Sequence, residues 1–578
     1  MHIWFRHDQQ RLGEEYLAIS RLIEGNDWLK DVAWNIEGHT IFLTATIQAH
    51  GYSYPIRMDY PLFYPDTPPI VRPQNKDANW TSHSYKSGVL CLEWGPDNWH
   101  SGLTGAIMLE STHRLFEVEN PLGSEHLNIA PSGHQLTLGQ ELRSKVARFY
   151  IGETLLNYLN TVSANSIGTF KFSIQIQNSI IVFVHAIHLS GQDAPFEEKV
   201  FPGGILEAKT HTGLFVKANL KASQLEAINT PDVLRGFFTS FNHELLLGSN
   251  GMVGLLIMDE EGQLHSFLLY DDNQSKMFTL GQVKSSSTLQ QRIPSELATI
   301  ANKRVGIVGL GSIGSKIALS LARTGVKQFL LVDYDIFLPE NLCRNALDWH
   351  DVGEHKVEAV KAHLSFISPD IQVEVSDLHL TGQESNSVIN SLLHNLTQCD
   401  LLIDATASPA VFNLLASAAW HCKLPIVWME VYAGGVGGMV ARSRPGLDPT
   451  PAVMRNACEE ILDEAGIPET PAFATYSTES PDGEMMVATD ADVGVIAYHA
   501  TRLALDTLLE GTLFPYSMYL IGLAENGFFQ QPFDVRPIDT RNRGLEPETE
   551  QRPIEMTPEA ISFINQILSR ETSESASS

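Results

Sequence analysis

A strand-forming apolar run, three glycines and a second apolar run ending in acid constrain this chain more than any other feature. The first run and its glycines read Arg304-Val-Gly-Ile-Val-Gly309-Leu-Gly311-Ser-Ile-Gly314, and the second reads Leu331-Val-Asp333-Tyr-Asp335. This order predicts strand, tight turn, helix start and strand, which is a nucleotide-binding βαβ unit. Glycines let backbone approach a phosphate closely, and a helix N-terminus offers free N–H groups with a positive dipole end. An acid roughly 20 residues past the glycines suits a ribose hydroxyl.

Such a unit alone suggests an NAD-dependent oxidoreductase. The next residues argue for different chemistry. They are Asn341-Leu-Cys343-Arg344-Asn345 and Gly353-Glu-His-Lys356-Val357. Hydride transfer needs no arginine and lysine here. Attack on the α-phosphate of ATP does, because charge spreads over phosphorus and a departing pyrophosphate. From about 290 to 525 the sequence resembles the adenylation domain of ubiquitin-activating-type enzymes, the ThiF/MoeB-type group that includes the molybdopterin and thiamine sulfur-carrier activators. On that resemblance Gly309, Gly311 and Gly314 shape a phosphate loop, and Asp333 takes the ribose. Arg344 and Lys356 hold phosphates and stabilise the transition state. Asn341 contacts phosphate or metal, and Asp335 positions ribose or metal. The resemblance implies ATP and Mg²⁺. One departure stands out. The family's D-x-T-D-N pattern is here Asp404-Ala-Thr406-Ala407-Ser408. The second acid is lost, which leaves Asp404 as the expected Mg²⁺ contact, since Mg²⁺ keeps waters and needs few carboxylates. The alternative is an inactive site.

Bulk properties narrow the partners. A chain of 578 residues suggests two to four domains. A net charge of −29 with no basic block argues against nucleic acid and anionic membrane. Five cysteines with no C-x-x-C pair argue against a disulfide scaffold or a cysteine zinc site, which many relatives of the adenylation domain carry. The first residues do not read as a signal peptide, and no apolar run is long enough to span a bilayer, so a cytoplasmic protein is expected.

Residues 1–150 carry a second constellation. A helix is expected over Glu14–Glu24, then strands at Thr40–Ile47 and Gly51–Met58. Tyr60-Pro-Leu-Phe-Tyr-Pro-Asp-Thr-Pro-Pro69 follows an extended path that proline excludes from helix or central strand. Then come Ser87-Gly88-Val-Leu-Cys91-Leu92, Trp99, a helical stretch from Thr104 to Phe116, and Glu119-Asn-Pro121. This order resembles the ubiquitin-conjugating fold. The resemblance makes Cys91 an acyl carrier, a task that suits a nucleophilic thiolate which also leaves readily. The plain alternative is a buried cysteine. Counting back, Thr81, Ser82 and His83 stand where the family has His-Pro-Asn, so His83 takes the oxyanion-steadying position. It could also act as base toward the amine, or be only an exposed loop residue. Tyr85, Asp97 and His100 lie near in sequence.

Residues 151–290 match no named motif and are expected to form a folded α+β linker domain. It contains a half-buried strand near Phe170 and a hairpin turning at Glu260-Glu-Gly262. The adenylation domain is expected over 291–530, with a boundary from Lys284 onward. A partly disordered tail is expected over 531–578, its end beginning at Glu571. Among the other cysteines, Cys343 is expected to pack near the nucleotide, and Cys399 and Cys422 to lie in core. Cys458 is a candidate second thioester cysteine, with helix packing as an equal alternative.

The whole chain resembles bacterial fused activating-and-conjugating enzymes, including those of anti-phage (antiviral) cyclic-nucleotide signalling operons. That implies ATP-dependent activation of the C-terminal tail of a partner protein, either a nucleotidyltransferase or a ubiquitin-like protein. Transfer to Cys91 and conjugation to an amine follow, in a homodimer. A catalytically inactive scaffold and an oxidoreductase stand as alternatives.

Overall fold

The computed structural model describes residues 3–574 apart from 124–141, 242–251, 285–293, 465–476, 480–484, 545–556 and scattered single residues and short runs. The chain divides into two compact units, Met1–Glu141 and Leu142–Ser578.

In the first unit helix α1 (Gln9–Glu24) precedes strands β1 (Leu29–Glu37), β2 (Thr40–Ala49), β3 (Tyr52–Asp59) and β4 (Ile70–Pro73). They form an antiparallel meander in sequence order. Strict alternation makes the sheet: Ile41, Leu43, Ala45 and Ile47 of β2 are buried while the residues between them are partly exposed. Helix α2 (Gly105–Glu119) packs Met108, Leu109, Leu115 and Phe116 into the same core. Asp8 caps α1 by accepting from the Arg11 amide at 2.9 Å. Glu15, on the inward face of α1, is fully buried and tethers three elements. It accepts from Tyr60 at 2.9 Å, from Tyr64, and from the Gly105 amide at 2.7 Å, and pairs with Arg11 at 3.1 Å. The proline-rich stretch is thus a fixed irregular path between β3 and β4, anchored through its tyrosines.

The second unit begins with a sheet of eight strands. They are β5 (Ala147–Ile151), β6 (Ile167–Ile176), β7 (Ile180–Leu189), β8 (Phe196–Glu197), β9 (Thr210–Lys217), β10 (Met252–Met258), β11 (Leu264–Asp271) and β12 (Ser275–Lys284). Their order is β5-β12-β11-β10-β9-β6-β7-β8, and a further β5–β7 pairing closes seven of them into a ring. The expected hairpin is β10–β11, turning at Gly262 with positive φ. The expected half-buried strand is β6, with Phe170 and Phe172 buried. Strand β5 starts at Ala147 and belongs to this sheet. The expected boundary from Lys284 onward falls on 285–293, outside the described residues.

The remaining sheet has the order β15-β14-β13-β16-β17-β18-β21-β22. Its strands are β13 (Arg304–Val308), β14 (Gln328–Val332), β15 (Gln372–Ser376), β16 (Leu401–Asp404), β17 (Ile426–Val431), β18 (Gly437–Ser443), β21 (Met518–Gly522) and β22 (Val535–Pro537). A separate hairpin pairs β19 (Ser477–Glu479) with β20 (Met485–Val487). The first five strands of the large sheet, β15 to β17, are parallel and the last three alternate in direction. β13 and β16 are neighbours although non-consecutive, so connections leave in opposite directions there. Ligands of open α/β sheets bind at such a switch point, beyond the strand C-termini. Helices α3 (Gly314–Thr324), α4 (Lys356–Ile367) and α7 (Asp490–Leu508) share one core with the sheet, and α5 (Pro409–His421) and α6 (Pro451–Glu464) share another.

Two described elements lie beyond residue 530. β22 joins the large sheet, so 535–537 are not tail. Helix Pro558–Glu574 runs into the stretch expected to be disordered. No helix among the described residues is long and apolar enough to cross a membrane.

Candidate functional site

The glycine loop sits at the switch point because β13 delivers it there. Gly309 has φ +88, and a Cβ on it would come within 3.0 Å of Thr406 and Ala405. A Cβ on Gly314 would lie 1.8 Å from the Gly309 carbonyl oxygen. Both positions therefore require glycine to let the first turn of α3 close onto the loop. At Gly311 the space a Cβ would fill is open. The loop thus presents bare backbone outward, the form that fits a phosphate.

Asp333 ends β14 and faces the loop. Its Oδ2 accepts from the Leu310 amide at 2.6 Å and its Oδ1 from the Asp335 amide at 2.8 Å. Burial pushes its carboxyl up from the ordinary range, and the two amides and Lys356 oppose that. Segment 335–337 pairs with 353–356: the Phe337 amide donates to Glu354, Gly353 to Phe337, and Lys356 to Asp335. This pairing brings Lys356, the first residue of α4, beside the acid strand. Its ammonium is buried and contacts Asp335 Oδ2 at 2.8 Å, with Asp335 exposed. His363 on the next turns of α4 holds Asp351 at 2.9 Å and fixes the loop that leads into it.

Asn341 and Arg344 lie on and just after a short 3-10 turn, Pro339–Cys343. Asn341 Oδ1 accepts from the Leu338 amide at 3.0 Å, so this side chain shapes the turn. Arg344, half-buried, donates to the Ala488 carbonyl at 3.3 Å. The loop, Asp333, Asp335, Asn341, Arg344 and Lys356 are thereby gathered at the C-terminal edge of β13 and β14.

One residue that the sequence reading passed over joins this cluster. Lys316, in the first turn of α3, is buried; it donates to Ser312 O at 3.2 Å and to Arg344 O, and pairs with Asp490 at 2.7 Å. It joins the loop helix to the Arg344 turn and to the start of α7. The available signal was a lysine two residues past Gly314, in the first turn of the loop helix.

Asp404 ends β16 with 3% exposure. Its Oδ1 accepts from the Thr406 amide at 3.0 Å and the Thr406 hydroxyl at 2.7 Å, and burial pushes its carboxyl up. Both Thr406 bonds fall on Oδ1. Ala407 has φ +53, a left-handed backbone that Asp and Asn tolerate better than alanine.

The cysteines separate by environment. Cys343 is exposed, with its thiol on Glu340 O at 3.2 Å, and Cys422 is exposed at the end of α5. Both were expected to pack. The 3-10 turn points Cys343 outward, and Cys422 lies past the last apolar residue of α5. Cys399 is buried, and burial pushes its thiol up to about 12. Cys458 is buried in α6 beside Tyr432, and burial pushes its thiol up to about 11. A thiol so held is protonated at neutral pH, which favours packing over nucleophilic attack.

In the first unit, Cys91 is half-buried on a short hairpin. Tyr85 N donates to Val89 O at 2.8 Å, Ser84 bridges Leu90, and Cys91 N donates to His83 O at 2.7 Å. Cys91 therefore stands opposite His83 and diagonal to Tyr85. The Tyr85 hydroxyl is pushed up by partial burial, by its hydrogen bond to Cys91 and by the charges of Cys91 and Asp97. Trp99 donates to Pro65 O at 2.8 Å, which ties the proline-rich path to the segment after Cys91. Ser82 lies outside the described residues, and His100 is exposed.

Comparison with known proteins places one part of this. Residues 285–478 match the family model described as ThiF family. Over 187 residues the chain is 34% identical to the ATP-dependent ubiquitin transferase-like protein Cap2 of Enterobacter hormaechei, covering 31% of this chain and 30% of that protein. It is 29% identical over 189 residues to ubiquitin-like modifier-activating enzyme 5 of Aedes aegypti, covering 30% of this chain and 47% of that enzyme. The chain thus spans less than half the length of these relatives. The E. coli MccB crystal structure with ATP is 17% identical with a TM-score of 0.35, covering 46% of this chain and 74% of that one. The C-terminal half of this chain carries a ThiF-family domain.

Proposed function

We propose that this chain activates the C-terminal carboxylate of a partner protein with ATP and passes the acyl group through Cys91 to an amine. The observation that supports it is the gathering of Gly309, Gly311, Gly314, Asp333, Arg344 and Lys356 at the sheet's switch point. A partner carboxylate oxygen attacks the α-phosphorus; the new P–O bond forms as the bond to pyrophosphate breaks. Gly311 and the loop amides seat phosphate, and Asp333 takes the ribose. Lys356 and Arg344 balance the charge that moves onto pyrophosphate. Asn341 and Asp335 act through their neighbours, one by shaping the turn and the other by orienting Lys356. Asp404 would hold Mg²⁺, which would offset phosphate charge when bound with ATP.

In the second step the Cys91 thiolate attacks the adenylate carbonyl and AMP leaves. An amine then attacks the thioester, a C–N bond forms and the C–S bond breaks. The relatives named above carry ubiquitin transferase and modifier activation in their names, which supports a ubiquitin-like tail as partner; a nucleotidyltransferase tail is the alternative. A conjugating-type fold for residues 1–141, a homodimer, a cytoplasmic site and a role in antiviral defence belong to the same reading. The burial of Cys458 supports direct transfer to Cys91.

The test is ATP–pyrophosphate exchange with a candidate partner present. Exchange that falls by roughly 10²–10⁴ in Arg344→Ala and Lys356→Ala supports the site. Exchange that survives both losses contradicts it, and no exchange at all favours a scaffold that binds the tail.

A further inference from the structure

We infer that Glu119 is a positioning residue that holds His83 as the general base for aminolysis of the Cys91 thioester. The inference rests on the acyl-carrier reading of Cys91. Glu119 is the last residue of α2 and is buried. Its Oε1 lies 2.6 Å from His83 Nδ1, and its Oε2 accepts from the Thr81 hydroxyl. Thr81 Oγ1 in turn accepts from the His83 amide at 2.9 Å. The His83 side chain is 11% exposed and that of Glu119 8%. The histidine is therefore held from two sides on a hairpin whose opposite strand carries Cys91.

The pairing decides between the two chemical roles open to His83. A carboxylate accepts only, so Nδ1 carries the proton and the neutral ring keeps Nε2 as its acceptor. An acceptor takes a proton from an incoming amine; it does not steady an oxyanion. The backbone pairing sets His83 directly across the hairpin from Cys91, and opposite residues of an antiparallel pair have Cβ atoms about 4.5–5.5 Å apart. Nucleophile, base and a third group that orients the base form the general arrangement of nucleophilic catalysis. In the proposed step the amine nitrogen bonds the thioester carbon, its proton passes to His83 Nε2, and the C–S pair departs with Cys91. The proton then returns to the thiolate or to water.

The probes are the N-acetylglycyl thioester of mercaptoethanesulfonate, which loads the full-length protein by thioester exchange, and free lysine or hydroxylamine as acceptor. Peptide mapping locates the acyl group. Glu119→Gln should load Cys91 like the parent and melt normally, yet discharge to lysine about 10–10²-fold more slowly. Glu119→Asp should recover part of the loss. Hydroxylamine is already unprotonated at neutral pH, so its discharge should change little. His83→Asn should slow lysine discharge at least as much as Glu119→Gln. Parent-like lysine discharge by Glu119→Gln, equal slowing with both acceptors, or full activity of His83→Asn would overturn the inference while the carrier reading stands. A parent protein that takes no acyl group at Cys91 would bring down the carrier reading itself.

Discussion

Asp404 is a carboxylate held by Thr406 in an almost closed site, and its charge costs stability there. Burial raises its folded pKa above the unfolded one, so the folded state binds the extra proton as pH falls. The stability it contributes is present below the unfolded value and is lost as pH rises through the folded one. Asp404→Asn keeps the acceptor for Thr406 and removes the charge. Melting temperature is expected to rise at pH 8 and the gain to shrink toward pH 4, read by calorimetry; a constant loss at every pH would contradict this. Beside it, Ala407→Gly relieves a positive φ and should change stability by +1 kcal/mol at most, roughly. The loss of the second acid was legible in the sequence. The positive φ of Ala407 was not, because φ is set by the turn around Thr406.

At the scale of elements, α3 meets the glycine loop with no room to spare. Gly314→Ala must displace the Gly309 carbonyl or the helix, and a loss of nucleotide affinity with a lower melting temperature is expected from titration and calorimetry. Lys316 links α3 to the start of α7 through Asp490. Asp490→Ala leaves a buried ammonium short of its partner and should loosen Arg344, so the Michaelis constant for ATP should rise more than the turnover falls. Unchanged kinetics in Asp490→Ala would make the link merely structural. The strands and glycine turns were readable because their period and punctuation are local. Lys316 and Glu119 were missed because their roles depend on partners far along the chain: 174 residues separate Lys316 from Asp490, and |i−j| is 36 for His83 and Glu119. The outward faces of Cys343 and Cys422 were missed for a related reason. An apolar neighbourhood in sequence does not say which way the last residue of a turn points.

At the scale of the whole molecule, one chain carries a ThiF-family domain and a separate compact unit with a cysteine on a hairpin. The glycine loop, Asp333, Arg344 and Lys356 were named from the sequence and lie together. The middle segment yielded single strands but not the ring its strands form, since closure depends on the β5–β7 pairing of distant residues. Tethering makes transfer within a chain a first-order step. The appearance of thioester at Cys91 is therefore expected to keep its rate as enzyme is diluted; a rate that scales with enzyme concentration would place the transfer between chains. The central claim is that activated carboxylate reaches Cys91, and the most direct measurement is intact mass with peptide mapping of Cys91→Ser protein expressed with its genomic neighbours. A protein C-terminus joined by an ester to the substituted position, and absent from Cys91→Ala, is the predicted result. Unmodified protein with ATP left unconsumed would contradict the account.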